Sequence, residues 1–173
     1  MSARPHRLDP DRVVEHLPRL YRAARAWTGS REQAEDLVQE TCAQLLARPR
    51  LVRGDDLGYL LRALRNTMIS GHRSSLRRPQ TALLPDDLPA SDRLGDPVAA
   101  LAGHELRRAI AALPEAFRDA FVAVDVVGLS YDEAGRLLEV SAGTVASRLS
   151  RARDRLAREL DGTSDDPGER RAE

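Results

Sequence analysis

The 173-residue sequence contains no lysine; all 27 of its basic side chains are arginine. It has a single cysteine, Cys42, so no disulfide can form within the chain. Aromatic residues make up only 3%, and runs of valine, isoleucine and threonine are scarce, which disfavours a large β-sheet. The histidines His6, His16, His72 and His104 stand at no metal-ligand spacing, so neither a metal nor another cofactor is expected. No stretch approaches the ~18 consecutive apolar residues of a membrane span, and the N-terminus lacks the apolar core of a signal peptide. A soluble, cytoplasmic protein is expected. A phosphate-binding loop and a nucleophile elbow are also missing. Asp55-Asp56 and Asp86-Asp87 are adjacent acids of the kind that cap helices and offset their dipoles, so no enzyme is expected.

What is present is helical patterning. Hydrophobic residues make up 42% and charged residues 31%. Acids and arginines balance at 27 each, but not locally. Residues 1–73 carry 13 arginines against 9 acids, whereas the tail from Asp161 carries 2 against 5. Arginine grips phosphates and guanine edges bidentately, although composition bias is the first explanation for its exclusive use.

After a loose arm at residues 1–9, apolar residues recur at helical spacing at Val13, Val14, Leu17, Leu20, Tyr21, Ala24 and Trp27. Pro18 either splits this run or marks where the stable helix starts, and Gly29 ends it. Ser30 with Gln33 predicts a capping box for a second helix, closed by Pro49. A third stripe, from Leu57 through Leu60, Leu61 and Leu64 to Met68, stops near Gly71. Three short helices, each apolar on one side, bury a core only against one another, which predicts a helical domain over 10–73.

Residues 74–98 lose the pattern and are punctuated by Pro79, Pro85, Pro89 and Pro97, as in a flexible linker. A second helical domain is expected over 99–160, followed by a disordered acidic tail over 161–173. Within it Ser130 and Glu133 form a capping box, Glu139 to Ser141 a tight turn, and Val145, Leu149, Ala152 and Leu156 the inner face of a longer helix. A short capped helix, a turn and a longer helix make the helix-turn-helix plan, whose second helix lies in the major groove. With those four residues inward, Thr144, Ser147, Arg151, Asp154 and Arg158 point away, flanked by Arg148, Ser150 and Arg155. Arginine reads guanine through O6 and N7, and serine and threonine contact several bases or phosphates. The competing reading is an ordinary solvated helix face; the capped helix and turn before it weigh against that. The fold class is thus all-α, two small domains joined by a linker.

Here the residues resemble a known family. The run Gly143 to Arg153 (GTVASRLSRAR) resembles the promoter-reading helix of extracytoplasmic-function (ECF) sigma factors of bacterial RNA polymerase. Ala111 to Arg118 looks like the start of the same C-terminal domain, and Gly128 to Ala134 like its first helix-turn-helix helix. Independently, Ala34 to Thr41 (AEDLVQET) resembles the family's polymerase-binding helix, and Tyr59 to Thr67 the helix leading to its -10-reading segment. The resemblance covers about residues 15–160, with the linker between the two blocks.

It implies an alternative sigma factor that directs core polymerase to specific promoters. Asp36, Gln39 and Glu40 match the polymerase-docking positions. Thr144, Ser147, Arg148, Ser150, Arg151 and Arg153 match the helix that reads the -35 element. Arg65, Asn66, Ser70, His72 and Arg73 match the segment that captures -10 bases, and Arg77 and Arg78 extend its charge. Ser70 replaces a common Asp or Asn, His72 a common aromatic or long side chain, and Ala146 a frequent Lys or Arg. The partners implied are core polymerase and promoter DNA, with an anti-sigma factor common in the family. The rival is a helix-turn-helix regulator that is not a sigma subunit; residues 10–73 are too short and too helical for the receiver domain it would need. Cys42, on an apolar face, reads as core in preference to a redox sensor.

Overall fold

The computed structural model describes residues 5–47, 51–52, 54–75 and 97–163. Among them, the first helical domain is built from α1 (Pro10–Thr28), α2 (Arg31–Ala47) and α3 (Asp56–Ser75). The second comprises α4 (Pro97–Ala112), α5 (Glu115–Phe121), a π-helical turn (Val122–Val126), α6 (Tyr131–Leu138) and α7 (Ala142–Thr163). No helix among the described residues is long and apolar enough to cross a membrane.

Asp9 starts α1 by accepting the Arg12 N–H at 3.0 Å, and Pro10 occupies the first turn, where a missing N–H costs nothing. The helix is continuous through Pro18, contrary to a split or a later start at that residue. Pro18 and Val14, whose carbonyl loses its partner, both lie on the exposed face, where water can serve that carbonyl. Gly29, at φ 72°, closes α1 in the left-handed conformation that a Cβ would resist. Of the box expected at Ser30 and Gln33 the structure holds one half, a long 3.4 Å bond from the Gln33 N–H to the Ser30 hydroxyl. The third helix runs past Gly71 to Ser75.

The N-terminal arm is not loose throughout. His6–Arg7 form a short strand, β1, paired antiparallel with Leu51–Val52, β2. Leu8 and Val52 are buried behind it. Asp55 does cap α3, accepting the Gly58 N–H at 2.8 Å, but Asp56 does more than offset a dipole. It is buried and holds both His6 and Arg12, whose Nε lies at 2.8 Å, so it staples the arm to α1 and α3.

Leu20, Leu60, Leu61 and Leu64 are wholly removed from water at the centre of the first domain, each stabilising by roughly 1.5–3 kcal/mol. That core does not end at the domain boundary. Leu20, Ala23, Ala24 and Trp27 are continuous with Ala120, Val122, Ala123, Val127 and Leu129 of the second domain. A smaller cluster of Ala109, Ile110, Leu113, Ala152 and Leu156 holds α4 against α7.

Candidate nucleic-acid interface

The sequence Ser130-Tyr-Asp-Glu133 makes a complete capping box at the start of α6. The Glu133 N–H binds the Ser130 hydroxyl, and the Glu133 carboxylate accepts from the Ser130 N–H at 2.8 Å. The Ser130 hydroxyl also donates to that carboxylate at 2.6 Å, and this bond, followed by the one from the Ser130 N–H, holds the Glu133 pKa below its ordinary value. At the other end Glu139 sits at φ 58° and turns the chain. The turn folds tightly over Gly135, where a Cβ would come within 2.8 Å of the Val140 carbonyl oxygen. Ser141 then caps α7, accepting the Thr144 N–H at 3.1 Å and sharing a hydroxyl–hydroxyl bond of 2.9 Å with Thr144.

The inner face of α7 is as its spacing dictates: Val145, Leu149, Ala152 and Leu156 are buried. Opposite them Ser147, Ser150 and Arg151 are exposed, with Thr144 and Arg148 half-buried. The Ser147 hydroxyl donates to the Thr144 carbonyl at 3.0 Å. Arg148 and Arg151 have no ion-pair partner among the described residues, so both cations are available to an anion. Arg153 is different: its Nε and Nη2 donate to the two oxygens of Asp125, in the π-helical turn, at 2.9 and 2.7 Å. Arg155 stacks 5.3 Å over the Phe117 ring.

The second set of sequence-identified residues lies on α3. Asn66 and Ser70 are exposed on its C-terminal half. Arg65, one turn in, reaches across to the second domain and binds Asp119 through Nε and Nη2 at 2.9 and 2.7 Å. His72 and Arg73 lie in the last turns of α3, but their side chains are outside the described residues, as are Arg77 and Arg78 entirely. Asp36, Gln39 and Glu40 are all exposed on α2, and Gln44 donates to the Glu40 carboxylate at 3.0 Å. Beside them runs an open apolar groove of about 430 Å³ between α1 and α2, lined by Val13, Val14, Leu17, Val38, Cys42 and Leu46 among others. Cys42 is half-buried there, and burial pushes its thiol pKa up, away from the reactive thiolate.

The residues that join the two domains carry no periodic signal in the sequence. Arg19 donates twice to the Val127 carbonyl, at 2.9 and 3.2 Å, and Arg62 donates to the Arg136 carbonyl at 2.8 Å. Asp119 carried one usable signal, a carboxylate beside the apolar Phe117-Ala120-Phe121 stripe.

Comparison with known proteins gives this geometry a family. Residues 12–78 match the family described as Sigma-70 region 2, and residues 103–156 match Sigma-70, region 4. The chain is 36% identical over 150 residues to the ECF RNA polymerase sigma factor SigE of Mycolicibacterium smegmatis, covering 83% of this chain and 58% of that protein. It is 33% identical over 161 residues to the ECF RNA polymerase sigma factor EcfG of Rhodopseudomonas palustris, covering 90% of this chain and 87% of that one. Its fold is similar to that of the sigma factor RpoE of Bartonella quintana in complex with the anti-sigma factor NepR. That match has a TM-score of 0.70 and 26% identity, and covers 87% of this chain and 95% of that one. With both sigma regions in order on one all-helical chain, the protein belongs to the ECF sigma factor family of RNA polymerase.

Proposed function

We propose that the chain is an alternative sigma factor that docks on core RNA polymerase through α2, reads -35 DNA with α7 and captures -10 bases with the C-terminal half of α3. The observation that carries this reading is the face of α7 opposite its buried stripe. It presents two uncommitted arginines, Arg148 and Arg151, among the hydroxyls of Thr144, Ser147 and Ser150. Such a set suits base edges and flanking phosphates in a major groove. The domains are assigned to 10–73 and 99–160, extended by the helical ends of α3 to Ser75, of α4 from Pro97 and of α7 to Thr163.

Asp36, Gln39 and Glu40 supply the docking face. Two exposed carboxylates and an amide on one helix suit a basic partner surface. Asn66 offers both a donor and an acceptor to an unstacked base, and Ser70 and His72 extend that row; Arg73, Arg77 and Arg78 would track the displaced strand's phosphates. By analogy with the RpoE–NepR complex, an anti-sigma factor is a further expected partner.

The test is footprinting of the reconstituted holoenzyme on a promoter library, with Asp36→Arg and Arg151→Ala variants. Protection at both elements is expected. Asp36→Arg should abolish it by losing polymerase, and Arg151→Ala should relax sequence preference at -35 only. Unaltered footprints in both variants would move both interfaces elsewhere.

A further inference from the structure

Arg65 and Asp119 meet across the contact between the two domains. Both donors of Arg65 converge on one carboxylate oxygen, Oδ2. The other oxygen, Oδ1, is buried without a hydrogen-bond partner, and so is the Trp27 indole N–H, which faces the same carboxylate. Asp119 as a whole is 2% exposed. Burial pushes its pKa up, and the Arg65 guanidinium, with the Trp27 indole as the weaker contributor, pulls against that shift. Glu115, with an oxygen 3.9 Å from Arg65, adds like charge to the site. The main support of the ionised carboxylate is therefore one cation, Arg65, and that cation comes from the first domain, as does Trp27.

We propose that Arg65 is shared between two anions, Asp119 when the domains are closed and a DNA phosphate when they are apart, and that Asp119 makes the two states mutually exclusive. The inference rests on the reading of the chain as a promoter-reading sigma factor. Two elements named -10 and -35 lie roughly 25 base pairs apart, about 85 Å along B-DNA at 3.4 Å per step. A compact chain of this length is about 40 Å across. The closed arrangement, in which one core runs through both domains, cannot span that distance. Opening must occur, and it must leave Asp119 satisfied. In the closed form, drawing Arg65 away to a phosphate would strand a buried, unpaired carboxylate, which is strongly unfavourable. In the open form water solvates Asp119, and Arg65 is released beside Asn66, where a phosphate can take it.

Substitutions at the two positions should differ in a way that simple loss of contacts would not give. Removing Arg65 strands the buried charge and should open the chain. Removing the charge of Asp119 leaves only a half-buried arginine that can turn to water, so the chain should stay closed. Removing both should also leave it closed.

The experiment is pulsed electron–electron distance measurement on the full chain, without polymerase. Spin labels are placed at exposed positions of the two domains by Glu32→Cys and Arg158→Cys, with Cys42→Ala as background. The parent should give one short distance. Arg65→Leu should raise the separated population about tenfold or more. Asp119→Asn and the double variant Arg65→Leu/Asp119→Asn should return the parent's short distance, with far-UV circular dichroism showing equal helicity throughout. A single-stranded oligonucleotide at low salt should lengthen the parent's distance. A short distance in Arg65→Leu, a double variant as open as Arg65→Leu, or an oligonucleotide that fails to separate the domains would each overturn the proposal. The variant distances need neither polymerase nor promoter, so they test the Arg65–Asp119 latch apart from transcription initiation, whereas the oligonucleotide arm tests the latch and DNA capture by α3 together.

Discussion

Arg153 and Asp125 form a side-on pair, two N–H groups on two carboxylate oxygens at 2.9 and 2.7 Å, that ties the middle of α7 to the π-helical turn. The pair raises the Arg153 pKa, first through the hydrogen bond and then through the charge of Asp125. Of the arginines on the outer part of α7, Arg153 is thus already committed, while Arg148 and Arg151 are not. This ranks their expected roles. Arg153→Ala should weaken duplex binding by the holoenzyme less than Arg148→Ala does. Asp125→Ala frees a cation and should steepen the dependence of log affinity on log salt by about 0.9, the value for one added phosphate contact. Salt titrations of the three variants check this; equal losses for Arg153→Ala and Arg148→Ala would mean that Arg153 leaves Asp125 to grip DNA.

Arg151→Ala should cost about 1–3 kcal/mol at the preferred -35 sequence and much less on random duplex, as expected for a bidentate guanine contact. Competition binding with matched and scrambled -35 sequences measures the difference. A uniform loss on both would make Arg151 a backbone contact.

Glu139 adopts φ 58°, where an L side chain is strained and glycine is not. Glu139→Gly should therefore stabilise the second domain by about 1 kcal/mol, less the added freedom of the unfolded chain. Thermal unfolding reads this directly. A lower midpoint would show that the Glu139 side chain contributes more than its backbone costs.

Gly135→Ala should act in the opposite direction. Its Cβ would meet the Val140 carbonyl oxygen at 2.8 Å, and backbone cannot give way as a side-chain tip can. A loss of about 1–3 kcal/mol is expected from overpacking, together with weaker -35 binding as the turn shifts α7. Wild-type stability in this variant would mean that the turn yields.

The parts of this structure that were legible in the sequence are the local ones. The inner stripe of α7 repeats every three or four residues, and the Ser130–Glu133 box lies within one turn, so both are written in a short window. The strand at His6–Arg7 is only two residues long, too short for any alternation to declare it. Pro18 was ambiguous because a proline's effect depends on which face it occupies, and the continuous α1 places it toward solvent. The joint between the domains was not legible at all. Arg65 and Asp119 are 54 residues apart, and Arg19 and Val127 are 108 apart, so no local period connects them. The candidate -35 and -10 residues rest on family resemblance added to helical geometry; geometry alone distinguishes Arg148 and Arg151 from Arg153 only once Asp125 is seen beside it.

Run-off transcription tests the central claim most directly. Bacterial core polymerase is incubated with genomic DNA fragments, with and without the full chain. Discrete, promoter-specific transcripts are expected only when the chain is present, and they should be lost with Asp36→Arg. Core polymerase that binds the chain yet yields no specific transcript from any fragment would contradict that claim.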